Sequence, residues 1–476
     1  MIFSRQSLVI NTVDNAAFAV WARWLTIFAV GVFACSAVSS ILSLHCLYAD
    51  GSYQLIEVLK AGNFVAVAKN RNCASYVMQF PVVVALKLGV TNLRALQIAF
   101  GLGCFLPWPF VLLICRRLSP RYFWLAMLGC AVGYLNAAFM PVGEYSIAHA
   151  FFWPALFAIL FVRPLTTFAS VILVFASLIL VCSYESLLFL GPPLAALALW
   201  RMFGGGEKKW SRLWLGLSAS LLGLAAVIAL DGIRHPQAPD NLGGFKQGLE
   251  SMFLFPSWTI GWSFVWLCLL AAVCLDVSGF SRRFFKLELV LLATAMLVWG
   301  LWPVVAPERL NTQLQYDYRA MQLLTPFALL LLGCAVNLCP KWFAARQNYF
   351  VAFSASLLLA QSLWQLSATW QWHGFVGVWR GVLATHSGPV ALKDTAFGRQ
   401  PIGHQAMNFD WNWANPDLSL MLSQNGQVKS IILPPSRAGW HPFDPLNPEA
   451  LPKLQQYGLN YDDYLKSLMQ ARSSAK

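Results

Sequence analysis

Residues 165–182 read LTTFASVILVFASLILVC, and residues 186–199 read SLLFLGPPLAALAL, with only Ser183, Tyr184 and Glu185 between them. Neither segment contains a charged residue. A helix needs roughly 20 apolar residues to cross a hydrocarbon layer of about 30 Å. Since backbone polar groups in lipid have to bond within their own segment, both stretches are predicted to be membrane helices. The short connection between them predicts a helical hairpin with Glu185 at its turn.

The same apolar pattern extends outward along most of the chain. Hydrophobic residues make up 58% of the 476 positions and charged residues 11%, whereas a soluble domain has about 25% charged residues. The sequence therefore predicts an all-α polytopic membrane protein, with about eleven transmembrane helices within residues 1–369. The predicted segments are Trp24–Leu44, Leu93–Cys115, Tyr122–Ala138, Ser146–Val162, Leu165–Cys182, Ser186–Leu199, Leu213–Leu230, Trp258–Leu275, Leu287–Val304, Ala320–Leu338 and Tyr349–Thr369.

Basic residues predict the orientation of these helices. Alternate connections are rich in Lys and Arg, as in Arg116-Arg117 and Lys208-Lys209, whereas the other connections carry similar numbers of acidic and basic residues. Because cytoplasmic loops carry the excess of positive charge, the N-terminus is predicted to be cytoplasmic. The expected location is a bacterial inner (plasma) membrane, with membrane lipids as the surroundings. This orientation signal explains the net charge of +13, so no nucleic-acid partner is predicted.

The first outer loop, residues 45–92, is predicted to begin with a short helix from Asp50 to Gly62. Its apolar residues are expected to lie along the membrane surface. Asp50 has two interpretations: an N-cap of this helix, or a carboxylate that faces a substrate carried by a lipid. A second apolar stretch, Tyr76–Val90, contains Pro81 and is expected to be interfacial. Cys46 and Cys73 share this loop, and a disulfide between them is a further hypothesis.

Several other ionisable residues fall at predicted outer helix ends. Glu144 precedes the segment that contains His149, and Glu185 lies in the hairpin described above. Ionisable groups near membrane depth commonly face a cavity or a partner, although each of them alone could simply mark a helix end. Arg309 and Arg319 fall in the last outer connection and at the start of the tenth segment. An Arg at a helix start is suited to a phosphate group, but an interfacial anchor beside tyrosines is equally common.

The C-terminal region, residues 370–476, is predicted to be a small soluble α/β domain on the periplasmic side. It is rich in Trp, with a predicted strand at Lys429–Leu433 and a predicted helix from Glu449 to Leu468. Its aromatic residues could form a surface for sugar rings or could pack inside a small lid. Motifs of soluble enzymes, such as a P-loop or H-E-x-x-H, do not occur in the sequence. The histidines are scattered, so no metal site is predicted.

This layout resembles the GT-C class of integral-membrane glycosyltransferases. The resemblance rests on Asp50 after the first segment, the Arg71 to Val90 stretch with Gln79-Phe80-Pro81, the outer-facing Glu144 and Glu185, and Arg319. The arrangement of membrane segments and loops is similar over most of the chain, although the matching residues are few. Two departures are that Gly51-Ser52 follows Asp50 instead of a second acidic residue, and that Phe80-Pro81 replaces paired prolines. The first departure leaves a divalent metal unsupported, and the second leaves the acceptor open.

The resemblance implies transfer of a sugar from a polyprenyl-phosphate donor to an extracytoplasmic lipid, glycan or surface protein, with inversion. Asp50 would be the general base, and Glu144 or Glu185 would stabilise the transition state. Substrate binding is expected from basic and aromatic side chains, namely Arg71, His149, Arg309, Arg319, Tyr53 and Tyr318. The alternatives are a ligase or polymerase of lipid-linked oligosaccharides, a transporter, or a non-catalytic assembly protein.

Overall fold

The computed structural model describes residues 6–66, 69–131, 143–204, 206–235, 315–395, 414–433 and 451–467, and most of these residues are helical. The helices up to the long central gap are α1 (Gln6–Leu42), α2 (Asp50–Ala61), α3 (Asn72–Lys87), α4 (Leu93–Phe105), α5 (Pro107–Leu118), α6 (Phe123–Gly129), α7 (Glu144–Phe161), α8 (Thr167–Val181), α9 (Leu187–Phe203) and α10 (Lys209–Arg234). The remaining elements are α11 (Gln315–Leu338), α12 (Pro340–Ala345), α13 (Gln347–Thr385), β1 (Gly388–Ala391), α14 (Asn415–Leu422), β2 (Ser430–Leu433) and α15 (Leu451–Gln455).

Nine of the eleven predicted membrane segments overlap described helices, and Trp258–Leu275 and Leu287–Val304 lie outside the described residues. Among the described residues, five helical stretches are long and apolar enough to cross a membrane: Phe18–Leu42, Leu93–Leu118, Glu144–Phe161, Lys209–Arg234 and Gln347–Thr385. The second of these stretches contains two helices, α4 and α5. Pro107 begins α5, where a residue without a backbone N–H is tolerated. These features are consistent with an all-α polytopic membrane protein.

Large apolar side chains cover the outside of the helix bundle. On α8 the exposed residues Val171, Phe175 and Leu178 follow one another at helical spacing, and Leu224 and Val227 of α10 are also exposed. Contiguous apolar surface of this kind is uncommon on soluble monomers. Lipid contact accounts for it.

The directions of the helices define two faces of the bundle. The rings of Phe18 (α1) and Tyr349 (α13) lie 5.0 Å apart, and farther along both helices the hydroxyl oxygens of Ser40 and Thr369 lie 3.1 Å apart. The two helices therefore run parallel. We call the face at the C-terminal end of α1 the upper face and the opposite one the lower face; α2 follows α1 and so belongs to the upper face.

A buried ion pair holds the helix ends together at the lower face. Arg201 near the end of α9 donates to Glu207 through Nε at 2.7 Å, and it also donates to the carbonyl oxygens of Ala158 and Ile159 at 2.6 and 2.7 Å. Glu207 in turn accepts from the backbone N–H of Leu165 at 3.1 Å. The guanidinium thus satisfies carbonyl groups at the end of α7 that have no partner within the helix.

The C-terminal region packs against the first loop at the upper face. The hydroxyl of Tyr457 donates to the carbonyl oxygen of Leu59 at 3.0 Å, and Gln97 Nε2 donates to the carbonyl oxygen of Met421 at 2.7 Å. The apolar residues Leu55 and Val58 of α2 are fully buried. The expectation that these residues lie along the membrane surface is therefore wrong, because other parts of the protein cover them; α3, α14 and α15 all contact α2.

Helix α13 continues through position 370, where the C-terminal region was predicted to start, and it ends at Thr385. Beyond it, β1 and β2 form a parallel two-stranded sheet with Gly388 opposite Ser430. Strand β2 lies within the predicted strand Lys429–Leu433. The predicted long helix from Glu449 is interrupted after α15, where Gly458 has a φ of +83°, a left-handed conformation that favours glycine.

Candidate functional site

Arg71 lies between two carboxylates at the upper face. Its Nη2 and Nε atoms donate to Glu185 Oε1 at 2.6 and 2.9 Å, and its Nη1 atom lies 3.9 Å from Glu144 Oε2. Three of the residues predicted to be functional, from three separate regions of the sequence, are therefore in one place. We call these three residues and their hydrogen-bond partners the Arg71 cluster.

The partners of the cluster come from α2 and α3. Gln54 Nε2 and Ser75 Oγ donate to Glu144 Oε1 at 3.0 and 3.2 Å, and Asn70 Nδ2 donates to Glu185 Oε1 at 2.9 Å. These three polar residues were not among the predicted site residues. Gln54 could have been found from its spacing, since it lies one helical turn after Asp50 on the same side of α2.

Local structure explains where the two carboxylates lie. Glu144 is the first residue of α7, where the helix dipole favours a negative charge, and it is 4% exposed. Glu185 occupies the connection between α8 and α9, as the hairpin pattern predicted. The adjacent Tyr184 ring lies 5.1 Å from the Arg71 guanidinium carbon, a cation–π distance. Ionisable groups at helix ends are thus satisfied by one another.

The Arg71 cluster contains one cation for two carboxyl groups. Burial disfavours the charge of Arg71, but Glu185, Tyr184 and Glu144 outweigh burial and raise the pKa of its guanidinium. Arg71 is therefore a fixed cation whose strongest contacts are already made to Glu185.

Asp50 is the first residue of α2 and is half-buried. The N-cap position is occupied by Ala49, whose φ is +49°, so the interpretation of Asp50 as an N-cap is wrong. Asp50 and Gln54 are separated by one turn, about 6 Å along the helix axis. Asp50 therefore lies one turn from the residue that binds Glu144.

Tyr53 lies on the same side of α2, with Glu57 one turn beyond it. Burial, Glu57, Asp417 and Asp50, in that order, raise the pKa of its phenol to about 12. Glu57 forms an ion pair with Lys60 at 2.6 Å. Together these residues form a polar side of α2. This side contacts α7 through Gln54, and it lies near Asp417 of α14 at Tyr53 and Glu57.

Asp417 on α14 was not predicted to be a site residue. Among the described carboxyl groups outside the membrane helices, it has the most strongly shifted pKa. It is 3% exposed, and its Oδ1 atom has no hydrogen-bond partner. Burial and the nearby Glu57 raise the pKa of its carboxyl to about 8, which Lys60 opposes. No sequence signal distinguishes it from an exposed acidic residue in a helix.

The other predicted binding residues fall into three groups. His149 is buried, and its Nε2 atom lies 3.4 Å from the hydroxyl of Ser186, which is adjacent to Glu185. Tyr318 and Arg319 belong to the first turns of α11, which packs against α7 and α9. Arg309 lies outside the described residues.

The proposed disulfide between Cys46 and Cys73 does not agree with the structure. Cys46 is fully buried, and its Sγ atom lies 3.5 Å from the carbonyl oxygen of Gln97. The backbone N–H of Cys73 instead donates to the carbonyl oxygen of Cys182 at 2.8 Å. Packing of α3 against α8, which sequence spacing does not show, places Cys73 beside Cys182.

Three tryptophans of the predicted C-terminal region lie on α13. Trp372 and Trp379 are fully buried, whereas Trp370 is 67% exposed. The first two are therefore part of the packing of α13. Trp411, Trp413 and Trp440 lie outside the described residues.

Among the described residues, no group of three or more His, Cys, Asp or Glu side chains lies close enough together to hold a metal ion. Comparison with protein-family models finds no match, and neither the curated proteins nor the solved structures contain a match. The function of this chain is therefore inferred from the geometry of the upper face.

Proposed function

We propose that this chain is a membrane glycosyltransferase of the GT-C type, which transfers a sugar from a polyprenyl-phosphate donor to an extracytoplasmic lipid, glycan or surface protein. The observation that carries the proposal is the convergence of Arg71, Glu144 and Glu185 with the polar side of α2, which begins at Asp50. These groups lie at the ends of apolar helices, where we would expect the phosphate of a lipid donor.

In the proposed reaction, Asp50 accepts the proton of the acceptor hydroxyl. The hydroxyl oxygen then attacks the anomeric carbon from the side opposite the phosphate, a new glycosidic bond forms, and polyprenyl phosphate leaves. Because the displacement is a single in-line step, the product has the inverted anomeric configuration. A general base at the correct position contributes about 10²- to 10⁴-fold to the rate.

The contacts of the Arg71 cluster refine the roles expected for its members. Glu185 accepts hydrogen bonds from Arg71 and Asn70, and Glu144 accepts them from Gln54 and Ser75. These carboxylates therefore hold α2, α3 and the α8–α9 connection together, and we assign them positioning roles. Through Gln54, Glu144 fixes the turn of α2 that carries Asp50.

Because Arg71 is bound to Glu185, the phosphate of the donor requires another cation. Arg319 is a candidate, since it lies in the first turns of α11, beside the helices that carry the cluster. Arg309 is a second candidate from the sequence, and His149, Tyr53 and Tyr318 are candidates for contacts with the sugar. No metal ion is assigned a role in this reaction.

The proposed location is a bacterial inner membrane, with the upper face in the periplasm. This orientation is supported by basic residues at the lower helix ends, such as Arg116, Arg117 and Arg212, because positive charge collects on the cytoplasmic side. The C-terminal region would then also be periplasmic, since it contacts α2.

The test is a transfer assay in native membranes with isotope-labelled polyprenyl-phosphate sugars. Asp50→Asn is compared with wild type and with a matched control, Asp231→Asn, an exposed carboxylate near the end of α10. All proteins are adjusted to equal levels. We expect Asp50→Asn to lower the transfer rate by at least about 100-fold, and we expect the control to retain the wild-type rate.

The outcomes separate the competing functions. A rate for Asp50→Asn within a few-fold of wild type would contradict the general-base role but not the reaction class. If wild type consumed none of the donors in the presence of its native acceptors, the glycosyltransferase proposal would be wrong, and a ligase, polymerase or transporter would take its place.

A further inference from the structure

Cys73 and Cys182 belong to distant parts of the sequence but are adjacent at the upper face. Cys73 is the second residue of α3, and Cys182 directly follows α8. The backbone N–H of Cys73 donates to the carbonyl oxygen of Cys182 at 2.8 Å. With standard backbone bond lengths, a hydrogen bond of this length places the two α-carbons at most about 6.7 Å apart, which is within the upper limit of about 6.8 Å found for disulfides.

The two thiols also interact with each other. A hydrogen bond with the Cys182 thiol lowers the pKa of the Cys73 thiol below its usual value, against the opposing effect of burial. Both side chains are half-buried, whereas Cys46 and Cys104 are fully buried. Because the thiolate is the reactive form of cysteine, Cys73 is better suited than Cys46 to react with an external disulfide.

We propose that Cys73 and Cys182 form a disulfide bond that ties the start of α3 to the end of α8. The proposal rests on the periplasmic orientation of the upper face, but not on the transfer reaction. The oxidant would be the disulfide of an extracytoplasmic thiol oxidase. The Cys73 thiolate attacks that disulfide and releases one oxidase thiol; Cys182, after losing its proton, then attacks the mixed disulfide and releases the second.

In this exchange two protein thiols are oxidised and one oxidase disulfide is reduced to two thiols. The bond would lie beside the Arg71 cluster, because Arg71 is two residues before Cys73 and Glu185 is three residues after Cys182. It would therefore join the two segments that the Arg71–Glu185 ion pair already connects.

The experiment uses the full-length protein in membranes from cells with an intact periplasmic oxidation system. Free thiols are blocked with N-ethylmaleimide at harvest, and the protein is digested without reduction and analysed by mass spectrometry. We expect a peptide pair linked through Cys73 and Cys182 that separates on reduction. Cys46→Ser, the matched control, should keep this linkage. Cys73→Ser should abolish it and leave Cys182 open to N-ethylmaleimide.

Wild-type protein in which N-ethylmaleimide modifies both Cys73 and Cys182 before reduction would overturn the proposal, and so would linkage of Cys73 to Cys46. The wild-type result alone decides, so a variant that failed to fold would not obscure it. Transfer activity in protein with both thiols free would refute the disulfide and support the proposed function. A linked but inactive protein would support the disulfide and contradict the proposed function.

Discussion

The buried carboxyl of Asp417 predicts that the attachment of α14 to α2 weakens as the pH rises. An exposed aspartate has a pKa near 4, whereas burial and Glu57 raise the pKa of Asp417 to about 8. When α14 separates from α2, the carboxyl becomes exposed and loses its proton at any pH between these two values. The protonated carboxyl therefore stabilises the attached state fully below about pH 4, and this stabilisation is lost as the pH rises towards 8.

Each pKa unit corresponds to about 1.4 kcal/mol. The free energy of separating α14 from α2 should therefore fall by about 1.4 kcal/mol per pH unit between about pH 5 and 7. From pH 5 to pH 8 the total loss is about 3–4 kcal/mol, or several hundredfold in the opening equilibrium constant. Asp417 is 3% exposed, so solvent screening reduces this value little.

Hydrogen-exchange mass spectrometry of the α14 amides measures this opening. Wild type and Asp417→Asn are compared at each pH from 5 to 8, which removes the intrinsic pH dependence of exchange. We expect the protection of wild type relative to Asp417→Asn to fall several hundredfold over this range. Asp463→Asn, at an exposed site, should behave as wild type. A ratio of wild type to Asp417→Asn that stayed constant from pH 5 to 8 would refute the assignment of the raised pKa to Asp417.

Two further substitutions test the packing of the helix bundle. Arg201→Met leaves Glu207 as a buried charge without its cation and should lower the free energy of unfolding by about 3–5 kcal/mol. Equilibrium unfolding in detergent measures this loss, and a loss below about 1 kcal/mol would contradict the buried ion pair. Gly103→Ala would place its Cβ atom 1.9 Å from the carbonyl oxygen of Met78, so α3 and α4 would have to move apart at a cost of about 1–3 kcal/mol or more. The matched control is Gly223→Ala on α10, where nothing lies within 4 Å; it should be neutral or stabilising by up to about 1 kcal/mol, and equal effects of the two substitutions would refute the close contact at Gly103.

Features that depend on local sequence were predictable. Helix α2 begins at Asp50 as expected, and it ends before Gly62, whose φ of +61° favours glycine. Glu185 lies in the hairpin for which its apolar flanks had indicated a turn. Strand β2 lies within the five residues predicted for it.

Features that depend on the partners of a segment were not predictable. The apolar side of α2 has the same sequence pattern whether it faces a membrane or packs against protein, so the sequence could not show that Leu55 and Val58 are buried within the protein. The Arg71–Glu185 ion pair joins residues 114 positions apart, which no sequence spacing indicates. The N-cap interpretation of Asp50 was wrong because Ala49 takes a positive φ, which is unusual for a residue with a Cβ atom.

The length of α13 determines how the C-terminal region can move. The helix has 39 residues and is therefore about 58 Å long. Because Trp372 Nε1 donates to the carbonyl oxygen of Ser43 just after α1 ends, about 20 Å of α13 projects beyond α1. Ser430 Oγ donates to the carbonyl oxygen of Leu383 near the tip of this projection. A tilt of α13 by about 10° would displace its tip by about 3–4 Å over this length, so the projection would act as a lever that converts a small rotation of the helix into a shift of β2.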